Sequence, residues 1–182
     1  MTATLEVPAL RAGRWQLQGA NSRTEFAVRN LGVRTVHGQV PLHEAWVDVD
    51  PTGNPASVHA VLNLAGITTG NTRRDTDLRK PTLLNTGQYP TLTFTGEPAD
   101  PTNTGWSVPG NLEAHGQTTA ITLRVEVTAQ ADTGAVTVCA STELDRRDLG
   151  VRAPRLLIGA RILITIHATI SRPTAPKTSL AL

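Results

Sequence analysis

An antiparallel β-barrel is the fold this sequence predicts, and three observations predict it. Apolar side chains recur at every second position through most of the chain. Short runs rich in Gly, Pro, Asn and Asp punctuate those stretches. One segment only, near residue 72, carries the marks of a helix start. Alternation of this kind makes one face of a sheet apolar and the other polar. Short turns between such strands read as hairpins. A one-sided sheet of many strands leaves unpaired edges unless it closes, and closure makes an interior.

The strands follow in order. Expected spans are 14–19, 22–31, 33–50, 56–67, 90–98, 104–114, 117–130, 135–145 and 155–170. With the first two as one bent strand, the count is about eight, a size at which a barrel closes. Val58, Ala60, Leu62 and Leu64 alternate with His59, Val61 and Asn63. Ile121, Leu123, Val125 and Val127 alternate with Thr122, Arg124 and Glu126. Val136, Val138 and Ala140, then Ile162, Ile164 and Ile166, repeat the pattern. "PTGNP" at 51–55, "DPTNTG" at 100–105, "HGQ" at 115–117 and "ADTG" at 131–134 supply the turns. Residues 1–13 and 172–182 read as flexible tails around a domain at 14–171.

The exception to the alternation is "TTGNTRRDTDLRKPTLLNTGQYPTLTF", Thr68 to Phe94. Asn71 or Thr72 caps a helix there, and Asp75 stands in a capping-box-like position after Thr72. Asp75 and Arg79, and Arg73 and Asp77, are spaced for intrahelical ion pairs. Pro81 ends the helix after about two turns, too short to stand alone in water. Leu78, Leu83 and Leu84 form the side that presses onto the barrel. Its arginines have two readings: a solvated surface, where such pairs contribute about 0–1 kcal/mol, or a mouth where planar guanidinium forks meet an anionic head group.

Composition excludes several classes. The chain has 182 residues, 39% hydrophobic and 18% charged, which suits one globular domain. Aromatics make up 3%, so Val, Leu, Ile and Ala must build the core. A formal net charge of +2, spread without Lys/Arg runs, gives no nucleic-acid signature. No run of apolar residues is long enough to span a membrane. One cysteine and an N-terminus without a signal-peptide pattern make the cytoplasm the expected location. Neither a Gly-x-Ser-x-Gly elbow nor a phosphate loop occurs, and the five histidines form no metal-ligand spacing. "DRRD", 145–148, reads as a salt-bridged strand end.

Four stretches together resemble the YceI-like family, from about Trp15 to Ile170. "TGNTRRDTDLRK" followed by "YPTLTF" resembles its TGN-x-x-RD-x-HL and YP-x-(I/L)-x-F signatures. "WQLQGANSRTEFAVRNLGVRTVHGQV" is similar to its opening motif. "GNLEAHGQTTAITLRVEV" and "LDRRDLGV" match two more, in the family's order. Departures are Asn21, Asn30 and Asp77 in places usually His, and Leu83, Leu84 and Leu149 in places often Phe. The resemblance implies a lipocalin-like barrel of eight antiparallel strands with one short α-helix in a crossover. It also implies an apolar channel holding an isoprenoid lipid, a polyprenyl diphosphate or isoprenoid quinone, for storage or transport without catalysis. No cofactor beyond that lipid is expected, and no metal. A homodimer is compatible with the likeness.

The expected channel lining is Phe26, Val28, Ala60, Leu62, Leu64 and Leu78, with Leu83, Leu84, Leu92, Phe94 and Ile121. Leu123, Val125, Val138, Leu149, Ile162 and Ile164 complete it. Arg73, Arg74, Asp75 and Arg79 are the expected head-group residues. At about 0.8 kcal/mol per CH2, a five-carbon unit gains up to about 4 kcal/mol before ordering costs. Two alternatives stand beside this reading. One is an interaction or stress-response module with a filled barrel, which the residues alone favour. The other is a metal-dependent enzyme on a prenyl lipid that would use Asp75 and Asp77.

Overall fold

The computed structural model describes residues 9–30, 34–153 and 159–174. Ten strands form one sheet: β1 (Gly13–Asn30), β2 (Arg34–Val40), β3 (Leu42–Val49), β4 (Pro55–Asn63), β5 (Thr91–Gly96), β6 (Asp100–Pro101), β7 (Gly105–Ala114), β8 (Gln117–Gln130), β9 (Val136–Asp145) and β10 (Arg161–Ser171). A 3-10 turn, Leu64–Gly66, and one helix, α1 (Thr72–Arg79), lie between β4 and β5.

The sheet closes on itself. From β1 the neighbours run β3, β4, β5, β7, β8, β9 and β10, and β10 pairs with β1 again, every pair antiparallel. Closure removes most edges that would otherwise template aggregation; β2 pairs with β1 alone and is bridged on its other side through Gln39 to Thr68. The two expected N-terminal strands are one strand, with a register break against β10 between Gln18 and Arg23. The expected strand 33–50 is broken instead at Pro41, which has no N–H to give to a ladder. β1 bridges the break: Gly13–Gln16 pairs with β3 and Thr24–Asn30 with β2. Residues 31–33 and 154–158, where three strand ends were expected, lie outside the described residues.

The barrel has two unlike ends. One carries the hairpins between β3 and β4 and between β8 and β9. The other carries α1, the β7–β8 hairpin and the segment after β9. At that hairpin Ala114 pairs with Gln117 across His115 and Gly116, whose φ values are 52° and 71°. Two positive φ values define the tight turn that matches strand twist, and glycine takes the second at no steric cost. At the same end the wall parts. β8 and β9 pair from Gln130↔Val136 only as far as Arg124↔Ser141. Beyond that, the Thr119 hydroxyl donates to the Asp148 carbonyl at 2.7 Å.

One core cluster runs through the barrel, from Trp15 and Trp106 at the first end to Leu64, Leu144 and Leu149 at the other. Trp15, Val49, Trp106, Val108, Val136 and Ile170 are buried at the first end. Trp106 donates from its indole N–H to Asn54 Oδ1, and Trp15 to the Arg11 carbonyl. Leu10 joins this cluster, so the expected N-terminal tail contributes to the core from residue 10.

Candidate ligand-binding site

α1 is a cover held down by its own polar residues. Asn71 caps it, accepting from the Arg74 N–H at 3.0 Å. Asp75 makes no capping box. It is buried and accepts from the Thr69 N–H at 2.8 Å, the Thr69 hydroxyl at 2.6 Å and the Thr68 hydroxyl at 3.1 Å. The Thr69 hydroxyl above all holds this carboxyl below its ordinary range, since hydrogen bonds favour the charged form. Arg79 reaches back to the Ala65 and Ile67 carbonyls at 2.9 and 2.7 Å. Thr68 itself pairs with Gln39 of β2 through backbone hydrogen bonds of 2.8 and 3.0 Å. The expected ion pairs Asp75–Arg79 and Arg73–Asp77 give way to Lys80–Asp77, which lowers the Asp77 pKa. After the helix the chain folds back, the Leu84 N–H donating to the Leu78 carbonyl at 3.0 Å. That turn puts Leu78, Leu83 and Leu84 on the underside.

Beside the cover lie two spaces that share part of their lining. A mouth of about 370 Å3 is lined by Phe26, Val28, Val36, Thr69, Asn71, Arg73, Arg74, Asp77, Leu78 and Leu83. An apolar chamber of about 110 Å3 continues inward and shares Phe26, Val28, Leu78 and Leu83 with the mouth. Gly38 makes room at this junction: a Cβ there would stand 2.3 Å from the Phe26 ring.

The expected lining divides into two groups. Phe26, Val28, Leu62, Leu64, Leu78 and Leu83 line these spaces, as do Leu84, Leu92, Leu149, Ile162 and Ile164. Ala60, Phe94, Ile121, Leu123, Val125 and Val138 do not. Ala60, Phe94 and Leu123 belong to the core cluster and Ile121, Val125 and Val138 pack against it; Leu62, Leu64, Leu92 and Leu149 are members of the same cluster. Both spaces lie at the covered end of the barrel. Among the expected head-group residues, Arg73 and Arg74 line the mouth. Arg74 also donates to the Thr69 hydroxyl at 2.8 Å. Asp75 and Arg79 serve the cover's anchorage instead, because their polar atoms are taken up by residues 65–69.

A family model described as the YceI-like domain matches residues 15–170. The chain belongs to the YceI-like family. Protein YceI of Escherichia coli O6:H1 is 28% identical over 117 residues, which is 63% of this chain and 61% of that protein. The chain thus spans 61% of the length of the curated relatives it matches. Among solved structures, BcnA of Burkholderia cenocepacia has a TM-score of 0.75 at 18% identity, covering 86% of this chain and 99% of that one. The Campylobacter jejuni YceI protein has 0.68 at 20%, covering 80% and 91%. A polyisoprenoid binding domain from Saccharophagus degradans, implicated in plant cell wall breakdown, has 0.66 at 15%, covering 87% and 98%. At these identities the structures share the fold.

In this YceI-like barrel no three His, Cys, Asp or Glu among the described residues gather to hold a metal ion. His37 and His43 are exposed on β2 and β3. His59 stacks on Trp46, centroids 5.2 Å apart, with Arg14 over the other ring at 4.1 Å. Burial raises the Cys139 pKa, which leaves the thiol less reactive. No helix of the described residues is long and apolar enough to cross a membrane. Two lining residues escape a reading by residue type. Thr24 is 1% exposed and Arg146 is 3% exposed. Both obey the alternation, two residues from Phe26 and from Leu144. "DRRD" is salt-bridged as expected, through Asp145 and Arg147, which hold the Asp145 pKa down to about 2. Its other arginine turns inward.

Proposed function

We propose that this protein binds an isoprenoid lipid in the space under α1, head group at the mouth and tail in the chamber, without turning it over. The mouth and the chamber, which adjoin at Phe26, Val28, Leu78 and Leu83, carry this reading. Polar and charged residues rim the one, and leucine, isoleucine and valine dominate the other. An isoprenoid offers methyl and methylene groups and little to hydrogen-bond, so such walls suit it. The likeness to a structure described as a polyisoprenoid binding domain supports the same assignment.

Size limits what fits. A mouth of about 370 Å3 lies within the roughly 300–1,000 Å3 of small-molecule sites. The chamber, at about 110 Å3, is nearer the roughly 150 Å3 cavity that takes one benzene. As it stands, the site therefore accepts the first isoprene units of a chain. A longer tail has to push aside the leucines of the cover, Leu78, Leu83 and Leu84. A storage or carrier role is the use that such a site would serve.

Native mass spectrometry of the purified protein tests the reading. A co-purified mass in the prenyl-lipid range, displaced by added geranylgeranyl diphosphate, is expected. An empty protein that takes up no prenyl compound would refute it.

A further inference from the structure

We infer that the slit where β8 and β9 part is a docking edge for a short extended segment of a partner protein. That segment adds a strand to β8. It carries an acidic residue at its N-terminal end, a basic residue at its C-terminal end and small apolar residues between. The inference is independent of the lipid reading.

The ladder between β8 and β9 ends at Arg124↔Ser141. Continued, it would set Thr122 against Glu143 and Ala120 against Asp145, and neither pair is made. On its other side β8 pairs with β7 from Gln117 to Glu126. Successive strand residues turn their N–H and C=O groups to opposite edges. The two-residue turn makes Ala114↔Gln117 a hydrogen-bonded pair, so Gln117, Thr119 and Ile121 face β7. The Val127 N–H, donating to the Thr104 carbonyl at 3.3 Å, keeps that phase. Thr118, Ala120 and Thr122 therefore turn their backbone donors and acceptors to the slit, where no described strand receives them.

Other edges of the sheet are managed. β2 is bridged from Gln39 to Thr68, and β6 has two residues. The parted end of β9 carries Glu143 and Asp145, each in an ion pair with an arginine. Natural sheets blunt exposed edges with charge, proline, shortness or cover. "QTTAITL", 117–123, has no charge and no proline and is rich in β-forming threonine and isoleucine. A bare edge of this kind takes up an extended segment through main-chain hydrogen bonds.

The surroundings select the segment. A space of about 470 Å3 runs along the slit, bordered by Ala120, Thr122, Arg124, Glu143, Asp148 and Leu163. Leu163, 47% exposed, is the exposed large hydrophobic side chain among the described residues. Arg124 stands at one end of the slit and Asp148, reached by the Thr119 hydroxyl, at the other. Both are exposed, and neither is in an ion pair among the described residues. A segment antiparallel to β8 starts beside Arg124 and ends beside Asp148, so its acid meets the one and its base the other. Inner side chains of the segment lie against Ile121 and Leu144, which suits valine. About five residues, at roughly 3.3 Å each, span Thr118 to Thr122.

Three capped peptides test the edge: Glu-Val-Thr-Val-Lys, the charge-reversed Lys-Val-Thr-Val-Glu, and the first peptide N-methylated at its threonine. NMR titration to millimolar peptide gives dissociation constants, and amide hydrogen exchange gives the position. The first peptide is expected to bind about tenfold more tightly than either control. On binding, the amides of Thr118, Ala120 and Thr122 gain protection, while Thr119 and Ile121, already facing β7, hold theirs. Arg124→Glu removes the preference between the two charge orders. Ala120→Pro deletes a slit-facing N–H without touching the β7 ladder, and weakens the first peptide about tenfold. No binding at millimolar peptide overturns the proposal. So does equal affinity for the first peptide and either control, or protection spread evenly over the barrel. Protection of the same three amides in the peptide-free protein, lost on dilution, would give the slit to a second copy and overturn it too. Should Ala120→Pro fail to fold, the N-methylated peptide, which leaves the protein unaltered, decides.

Discussion

The two ends of this barrel are made from the same alternating strands and finish differently. At the hairpin end, two tryptophans and a phenylalanine point inward: Trp15, Trp106 and Phe94, each buried. At the covered end the wall is leucine, isoleucine and valine, with Phe26 standing over Gly38. An eight-stranded barrel is just wide enough for side chains to fill it or for one small ligand to enter. In this chain the large rings decide where it is full. Aromatics are 3% of the residues, so placing three of them inside one end leaves Phe26 and aliphatic side chains to line the other. The solid end also resists intrusion from both sides of the ring. Glycines at 96 and 110 lie against Phe94, and a Cβ at Gly110 would stand 2.7 Å from its ring.

The largest difference between the ends should appear in stability. Phe94→Ala empties a site that cannot collapse, and a loss of about 3–5 kcal/mol is expected. Leu84→Ala, at a half-buried position beside existing space, should lose less than about 2 kcal/mol. Denaturant unfolding of both variants measures this. Equal losses would mean that the covered end is as solid as the other. A blocking substitution inverts the test. Leu83 lines both mouth and chamber, and Leu83→Trp fills the junction. Prenyl-lipid affinity should fall about tenfold or more, equivalent to about 1.4 kcal/mol of binding, while the unfolding midpoint stays close to that of the wild type. Binding that survives the tryptophan would place the ligand elsewhere.

The sequence displays the wall better than the space inside it. Period two places Phe26, Leu62, Ile121 and Ile162 on the inner face equally, because alternation reports facing and nothing about depth. Whether an inward residue meets a ligand or another side chain depends on what crosses from the far wall. Phe94, Leu62 and Leu92 all belong to the core cluster, yet only Leu62 and Leu92 also line the chamber, and Ile121 packs against that cluster from a half-buried place. The helix was legible to within a residue, since Asn71 and Pro81 bracket it. The roles of its charges were not. Ion-pair spacing along the helix describes Asp75 and Arg79 as if it stood alone, and tertiary contacts with residues 65–69 outbid those pairs. Arg146 shows the reverse case. Its charge argued for the surface, and only its place two residues after Leu144 argued for the inside.

A smaller effect separates ligand chemistry from plain packing. The Thr24 hydroxyl is buried in the chamber wall and has no hydrogen-bond partner among the described residues. Thr24→Val keeps the shape and removes the unmet group, which should stabilise the free protein by about 1 kcal/mol. For a domain of this size that is about 2–4 °C in Tm. A fall in Tm instead would mean that a water or ligand satisfies Thr24 and that the chamber is wetter than its apolar walls imply.

The smallest effect concerns the cover and is a matter of pH. Asp75 is held below its ordinary pKa chiefly by the Thr69 hydroxyl, and Asp145 at about 2 chiefly by Arg147. A carboxyl whose folded pKa is depressed contributes stability that is fully present above its unfolded value, about 3.9. That contribution disappears as pH falls through the folded value. For Asp145 the window runs from about 4 down to about 2. Asp75→Asn should therefore unfold at lower urea than the wild type at pH 7, and the gap should narrow below about pH 4, where the wild-type carboxyl also gains a proton. Hydrogen exchange sharpens the point: at pH 7 the variant should lose protection in residues 68–79 while β7 and β8 keep theirs. A loss spread evenly round the barrel would show that Asp75 supports the whole sheet, and the cover would then have no separate stability for a ligand to work against.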